Sequence, residues 1–246
     1  MRKGTALVTG AGRGLGAAIA RRLSAEGWPV VVNDLDQAAA EGLADDIARA
    51  GGRALAVGVD ATDPAQVATM VQWAREHFGP VLVTVANASG PQGEVPVEEL
   101  SWAYMLRHFE FFTKSPLALL HAAVPDMRAA RWGRVVHIGS DLFDRADPGW
   151  SAYMAAKGAL LGLTRGWALE LGTDGITVNL VAPGWIPVER HGAIPPEVAE
   201  RWLGRQAVPR WGTPDDVAGA VAYLTSEDAG FISGQRIVVN GGFHFA

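Results

Sequence analysis

Short runs of small aliphatic residues alternate along the chain with segments whose apolar positions recur every three or four residues. Thr5 to Thr9 is the first such run, and Leu15 to Ala25 has the first helical spacing. Val30 to Asn33, Ala54 to Val59 and Val81 to Ala86 read as further strands. Helices are predicted between them, from Gln37 to Ala50 and from Pro64 to His77, the second with proline in its first turn. Helical material from Val97 to Ala130 leads to a fifth strand, Arg134 to Ile138. A helix containing Tyr153 follows, then a sixth strand from Ile176 to Val181, a helix from Pro214 to Leu224, and a seventh strand from Gln235 to Asn240. Strands that are apolar at nearly every position, rather than every second one, are covered on both faces. The pattern therefore predicts an α/β fold, a doubly wound parallel sheet with helices on both sides and a ligand crevice beyond the carboxyl ends of its strands.

No linker, repeat or low-complexity run divides the 246 residues, so residues 1–246 are read as one domain. A Trp- and Pro-bearing excursion at about 185–212 is expected to act as a substrate lid. The net charge of −5, from 21 basic and 26 acidic residues, leaves no footprint for nucleic acid. Cysteine is absent, and the six histidines lack ligand spacing, so no metal is expected and a reducing, cytoplasmic location fits. Met1-Arg2-Lys3 before an apolar run imitates a signal peptide, but Arg13 and the glycines interrupt it, and a buried first strand is the better reading. No uninterrupted apolar stretch reaches the ~18 residues that a membrane span needs.

Thr9-Gly10-Ala11-Gly12-Arg13-Gly14-Leu15-Gly16 follows the first strand and opens the first helix. Glycines at 10, 14 and 16 permit a tight turn, close approach of a pyrophosphate and close helix packing, while the helix N-terminus supplies free N–H groups. Asp34, closing the second strand, is placed to accept both ribose hydroxyls and favours NAD(H). Arg13 pulls toward NADP(H). With the carboxylate directly on the ribose, NAD(H) is favoured over NADP(H). Asp60 and Ala61, after the third strand, are candidates for the adenine edge.

Tyr153 and Lys157 stand four residues apart in an Ala-rich helical segment, so both side chains face the same way. A free tyrosine titrates near ~10, and a neighbouring ammonium is expected to pull that value down until the phenol exchanges protons with a substrate oxygen.

With Gly10, Gly14, Gly16, Tyr153 and Lys157 in one chain, the sequence resembles the short-chain dehydrogenase/reductase family from end to end. Further matches are Asp60, Asn87-Ala88, Ser140 thirteen residues before Tyr153, Asn179, Pro183-Gly184 and Asn240-Gly241-Gly242. The resemblance implies a Rossmann-type, seven-stranded sheet, a nicotinamide cofactor, a small-molecule ketone or secondary alcohol as partner, and a homotetramer. It makes Tyr153 the general acid/base, Lys157 the residue that tunes it and binds ribose, and Ser140 the holder of the substrate oxygen. Asn87, Pro183, Gly184 and Ile186 join Leu15 and the glycine loop in the cofactor set.

Four positions depart from the family pattern. The asparagine that usually follows strand four, a fourth catalytic member, falls at Phe112 or Phe109 depending on the direction of counting. That count also places about three extra residues in the helix, which predicts a bulge. Ser89 replaces a glycine, His137 an asparagine, and Val188 a threonine that contacts the carboxamide.

Substrate choice is assigned to the excursion, through Trp185, Arg190, His191 and Trp202, with Trp150 before the catalytic helix. The wording is closest to the 3-oxoacyl carrier-protein reductase branch. Such a reductase needs a basic patch for an acidic carrier, which Arg128 and Arg131 offer and Asp174 opposes. A pathway-specific ketone reductase or alcohol dehydrogenase is therefore preferred. Carrier-protein reduction stands as the alternative, beside a dinucleotide-binding sensor or scaffold that has lost turnover.

Overall fold

The computed structural model describes residues 4–90 and 92–245, so Met1, Arg2 and Lys3 of the signal-like start lie outside the described residues. Its strands are β1 (Thr5–Thr9), β2 (Val30–Asp34), β3 (Ala54–Gly58), β4 (Val81–Ala86), β5 (Gly133–Ile138), β6 (Ile176–Pro183) and β7 (Arg236–Val239). They form one sheet in the order β3-β2-β1-β4-β5-β6-β7, with every neighbouring pair parallel. The order reverses between β1 and β4, where a doubly wound sheet opens its crevice.

The helices are α1 (Gly14–Ala25), α2 (Gln37–Arg49), α3 (Pro64–Phe78), α4 (Trp102–Phe109), α5 (Ser115–Ala130), α6 (Leu142–Arg145), α7 (Ser151–Leu171), α8 (Pro196–Leu203) and α9 (Pro214–Leu224). Successive strand residues enter opposite cores, as the pleat requires. Ala6 and Val8 join one core with α1, α2 and α9, whereas Leu7 joins the other with α3, α5 and the far end of α7. Full burial of a side chain the size of Leu7 or Val8 stabilises the sheet by about 1.5–3 kcal/mol, and of the smaller Ala6 by less. Among the described residues no helix is long and apolar enough to cross a membrane.

The helical stretch predicted from Val97 to Ala130 is interrupted. Between α4 and α5 the residues Glu110–Lys114 form a π-helical turn. Such a turn absorbs extra residues without ending the helix, which is the bulge that the residue count predicts, and π turns gather at functional sites.

Candidate active site

The dinucleotide end is built from the glycine loop. Gly10 and Gly14 have φ of +62° and +57°, the left-handed region that favours glycine. A Cβ on Gly16 would lie 2.1 Å from the Gly10 carbonyl oxygen, so close packing of α1 against the loop requires glycine there. Asp36, Asp63, Ser101 and Thr213 cap α2, α3, α4 and α9 with their side chains, but no side chain caps α1, which begins after Arg13. Its first N–H groups are left for a ligand, and the backbone closes around them, so these residues fit a pyrophosphate. Asn87 ties β4 to this loop, its Nδ2 donating to the carbonyls of Thr9 (3.0 Å) and Gly10 (2.8 Å). Thr9 Oγ1 accepts from the N–H groups of Asn87 and Ala88. Asp60 Oδ1 accepts from both the N–H and the hydroxyl of Thr62, which fixes the turn that carries buried Ala61.

Asp34 has structural work that the sequence did not disclose. Its Oδ2 accepts from the Gly12 N–H at 2.9 Å and its Oδ1 from the Asp36 N–H at 3.1 Å, while Arg13 pairs with Asp36 at 2.8 Å. The carboxylate thus holds the glycine loop to the end of β2, and its presence there does not by itself signal a ribose diol.

The other end of the crevice is organised by α7. Tyr153 is half-buried and Lys157 buried, one helical turn apart. Ser140, at the end of β5, lies near enough to the Tyr153 hydroxyl to lower its pKa, and its own hydroxyl accepts from the Leu142 N–H at 3.1 Å. Lys157 Nζ donates to the Ile138 carbonyl at 2.6 Å and lies 3.9 Å from the centre of the Phe112 ring. Of the two phenylalanines left open by counting, Phe112 is therefore the one at the site. It is 3 % exposed, with its ring edge-on to Tyr153 at 5.3 Å. Trp150 packs edge-on against the same tyrosine at 5.7 Å, and His108 at 6.4 Å.

The expected tuning of Tyr153 by Lys157 is not what this geometry produces. Burial raises the Tyr153 pKa above its ordinary value, against the lowering effect of the Ser140 hydrogen bond and of the charge on Arg190. Burial also pushes Lys157 down to about 7, helped by Arg190. At neutral pH the lysine is thus only about half charged. A site so desolvated holds the Tyr153 phenol protonated.

Two groups of site residues escaped sequence reasoning. His108 lies one turn before Phe112 on the same helical run, and that spacing was its only signal. Asp141, next to Ser140, is 1 % exposed, and burial raises its pKa. Arg145 approaches its Oδ1 at 3.3 Å and His244 its Oδ2 at 3.4 Å. No local pattern announces His244, which arrives from the chain after β7.

The substrate candidates divide. Arg190 is exposed, and its charge acts on both Tyr153 and Lys157. His191 Nδ1 accepts from the Val188 N–H at 3.1 Å and so braces its own turn. Trp185 packs edge-on against Trp202 at 5.0 Å and Trp211 at 5.4 Å, and Trp202 stacks on Phe243 at 4.3 Å, so these tryptophans form a packing cluster. Pro183 ends β6, Gly184 has space for no side chain beside Asn240, and Ile186 is buried.

A family model for enoyl-(acyl carrier protein) reductases matches residues 10–244. The chain belongs to the short-chain dehydrogenase/reductase family. It is 38 % identical over 242 residues to cis-4-hydroxycyclohexanecarboxylate dehydrogenase of Sinomonas cyclohexanicum, covering 97 % of this chain and 95 % of that one. To 3-oxoacyl-[acyl-carrier-protein] reductase of Staphylococcus aureus it is 34 % identical over 243 residues, covering 98 % of each. Among solved structures, 7α-hydroxysteroid dehydrogenase complexed with NADH and 7-oxo glycochenodeoxycholic acid superposes with a TM-score of 0.92 at 32 % identity, covering 97 % of this chain and 93 % of that one. Gluconate 5-dehydrogenase of Burkholderia cenocepacia, in complex with NADP and tartrate, gives 0.91 at 28 % identity, covering 99 % and 96 %.

Membership in this family makes the protein an NAD(P)-dependent dehydrogenase/reductase. The expected preference for NAD(H) over NADP(H) is corrected. A structural relative of 28 % identity holds NADP, and Asp34, which carried the expectation, is engaged by the backbone of the glycine loop.

Proposed function

We propose that the protein interconverts a ketone and a secondary alcohol, with Tyr153 moving the proton, Ser140 holding the reacting oxygen, and Lys157 holding the nicotinamide ribose. The supporting observation is the convergence of Ser140, after β5, and Tyr153, on α7, with the Ser140 hydroxyl near enough to lower the Tyr153 pKa. The bound nicotinamide supplies or takes the hydride. In reduction, the desolvated phenol gives its proton to the substrate oxygen as charge develops there, while the Ser140 hydroxyl donates to the same atom. In oxidation the phenolate takes the proton back. Phe112 stands, in this reading, where the family usually has asparagine, and Lys157 meets a ring face there. A lid role for the 185–212 excursion, a homotetramer and a cytoplasmic location belong to the same proposal.

For the substrate, the comparisons favour 3-oxoacyl carrier-protein reduction over the pathway-specific ketone that the sequence favoured, because relatives so named match along almost the whole chain. A second reading rests on two observations. Asp174 pairs with both Arg128 and Arg131, each at 2.9 Å, which neutralises part of the patch that an acidic carrier requires. The 38 % identical relative, moreover, is named for an alicyclic hydroxy acid. The test is oxidation of NADPH and NADH, followed by absorbance, with acetoacetyl thioester and with cyclic ketones. Turnover of the thioester supports the first reading and turnover of cyclic ketones alone the second. Binding of dinucleotide without turnover of any carbonyl would leave a sensor.

A further inference from the structure

Asp141, which directly follows Ser140, is a buried carboxylate where four segments of the chain meet. Its N–H donates to the Pro183 carbonyl at 3.0 Å, which ties the Ser140 turn to the end of β6. Arg145 of α6 reaches its Oδ1 at 3.3 Å. On its other side stands His244, brought back by a turn after β7 at Gly241 and Gly242, whose φ of +64° and +73° favour glycine. Asn240 closes that turn, accepting from the Gly242 N–H at 3.0 Å and donating to the His244 carbonyl at 3.3 Å. The His244 Nε2 lies 3.4 Å from Asp141 Oδ2, and among the described residues neither nitrogen of its ring has a hydrogen-bond partner. A buried imidazole left so is destabilising, and a small tilt of the ring lets an N–H donate to the carboxylate.

These contacts close a ring. Phe243, the chain neighbour of His244, stacks on Trp202 of α8 at 4.3 Å. The Arg145 guanidinium carbon lies 5.0 Å from the centre of the same indole, and Arg145 returns to Asp141. Trp202 is thus gripped from two sides by groups that Asp141 holds. The base of the ring is anchored as well, because Arg236 of β7 pairs with Asp144 of α6 at 2.5 Å. The last residues of β7 and the turn beyond it therefore fasten the 185–212 excursion to the turn that carries Ser140.

We propose that His244 is a positioning residue, which through Asp141 fixes the turn that presents Ser140 and, with Phe243, holds the 185–212 excursion against that turn. The inference rests on the ketone/alcohol reading, in which Ser140 holds the reacting oxygen. A carboxylate held on both oxygens fixes its neighbour in the chain, and a misplacement of ~1 Å at a reacting centre can lower a rate about 10²-fold. Without His244, Asp141 keeps Arg145 alone, and Arg145 has Asp147 as a competing partner. Phe243 carries only the excursion, since its loss leaves Asp141 between His244 and Arg145.

The experiment compares wild type with His244→Ala, His244→Gln and Phe243→Leu. Reduction of acetoacetyl thioester and of cyclohexanone is followed with NADPH and NADH. Amide hydrogen exchange of residues 141–147 and 185–212 is read by mass spectrometry on protein saturated with oxidised dinucleotide. His244→Ala is expected to lower kcat roughly 10- to 100-fold and to speed exchange in both segments, with dinucleotide Kd and exchange in β1, β2 and β4 unchanged. In His244→Gln the side-chain amide donates to the same carboxylate oxygen, so most of kcat and of the protection returns. Phe243→Leu speeds exchange in 185–212 alone and raises KM roughly 2- to 10-fold, the worth of an aromatic pair, with kcat retained. Unchanged exchange in His244→Ala, a glutamine variant as impaired as alanine, or faster exchange throughout the sheet would each overturn the positioning role. If both segments loosen as expected but wild type turns over no carbonyl, the oxidoreductase reading fails and the fastening stands.

Discussion

The side-chain nitrogen of Lys157 lies 3.9 Å from the centre of the Phe112 ring, closer than its 5.6 Å to the centre of the Tyr153 ring. An aromatic face attracts the charged form of a lysine by about 0.5–2 kcal/mol, so Phe112 partly offsets the desolvation that holds Lys157 at about 7. Phe112→Leu keeps the site apolar and removes that face. The Lys157 pKa is expected to fall further below 7, read by NMR titration of the lysine side chain. A rise would show that the ring contributes nothing to the ammonium.

Asp141 offers a separate handle on the tyrosine. Its carboxylate is among the charges that raise the Tyr153 pKa, while Arg190 and Arg145 act the other way. Replacing Asp141 with Asn removes a negative charge that disfavours the phenolate. The ascending limb of the pH–rate profile for alcohol oxidation should move to lower pH. A move to higher pH would mean that Asp141 acts chiefly by positioning Arg145 and His244.

Much of this architecture was legible in the residues, and the rest was not for identifiable reasons. All seven strands were readable, the inner ones because apolar runs buried on both faces leave an unbroken pattern, and the half-buried edge strands β3 and β7 because short aliphatic runs stand between turn signals; the ends moved by at most two residues, as at β6, which runs on to Pro183. The extra residues before Ala130 foretold a distortion, and the π turn at Glu110–Lys114 is its form. The glycine loop and the Tyr153/Lys157 pair were read from spacing, and Ser140 came with the family resemblance. Electrostatic sign did not. The pair Tyr153/Lys157 predicted a lowered tyrosine pKa, because a sequence displays the neighbouring charge and conceals the desolvation of both groups. Asp34 misled for a similar reason, its hydrogen bonds to Gly12 and Asp36 being invisible until the turn was built.

His137 makes the fold sensitive to acid. It is fully buried, and desolvation with the charge of Lys157 depresses its pKa from 6.5 to about 3. Thr164 Oγ1 donates to the Leu160 carbonyl and lies 2.8 Å from His137 Nδ1, which therefore carries the proton of the neutral ring. Between pH 6.5 and about 3 the unfolded chain binds a proton that the folded chain excludes. Stability from this residue is present above pH 6.5 and is lost as pH falls, by about 1.4 kcal/mol per unit. Urea unfolding at pH 7 and pH 5 should show His137→Asn losing about 2 kcal/mol less between the two than wild type. Equal losses would contradict a neutral buried imidazole.

The glycine loop is tested at Gly16. A methyl group there meets the Gly10 carbonyl at 2.1 Å and Asn87 Nδ2 at 2.6 Å, so the loop must shift. Overpacking of this kind costs about 1–3 kcal/mol, and because the strain falls on the loop, dinucleotide affinity should drop roughly 10- to 100-fold in Gly16→Ala. Calorimetric titration with NADPH and NADH reads the loss. Unaltered affinity for both would place the dinucleotide elsewhere.

The central claim is that Tyr153 transfers the proton. Tyr153→Phe removes one oxygen and leaves the helix, Lys157 and the glycine loop in place. The direct measurement is kcat for carbonyl reduction on samples whose dinucleotide affinity is titrated in parallel. A fall in kcat of about 10²- to 10⁴-fold with affinity unchanged is the predicted result. Turnover at the wild-type rate would contradict the account.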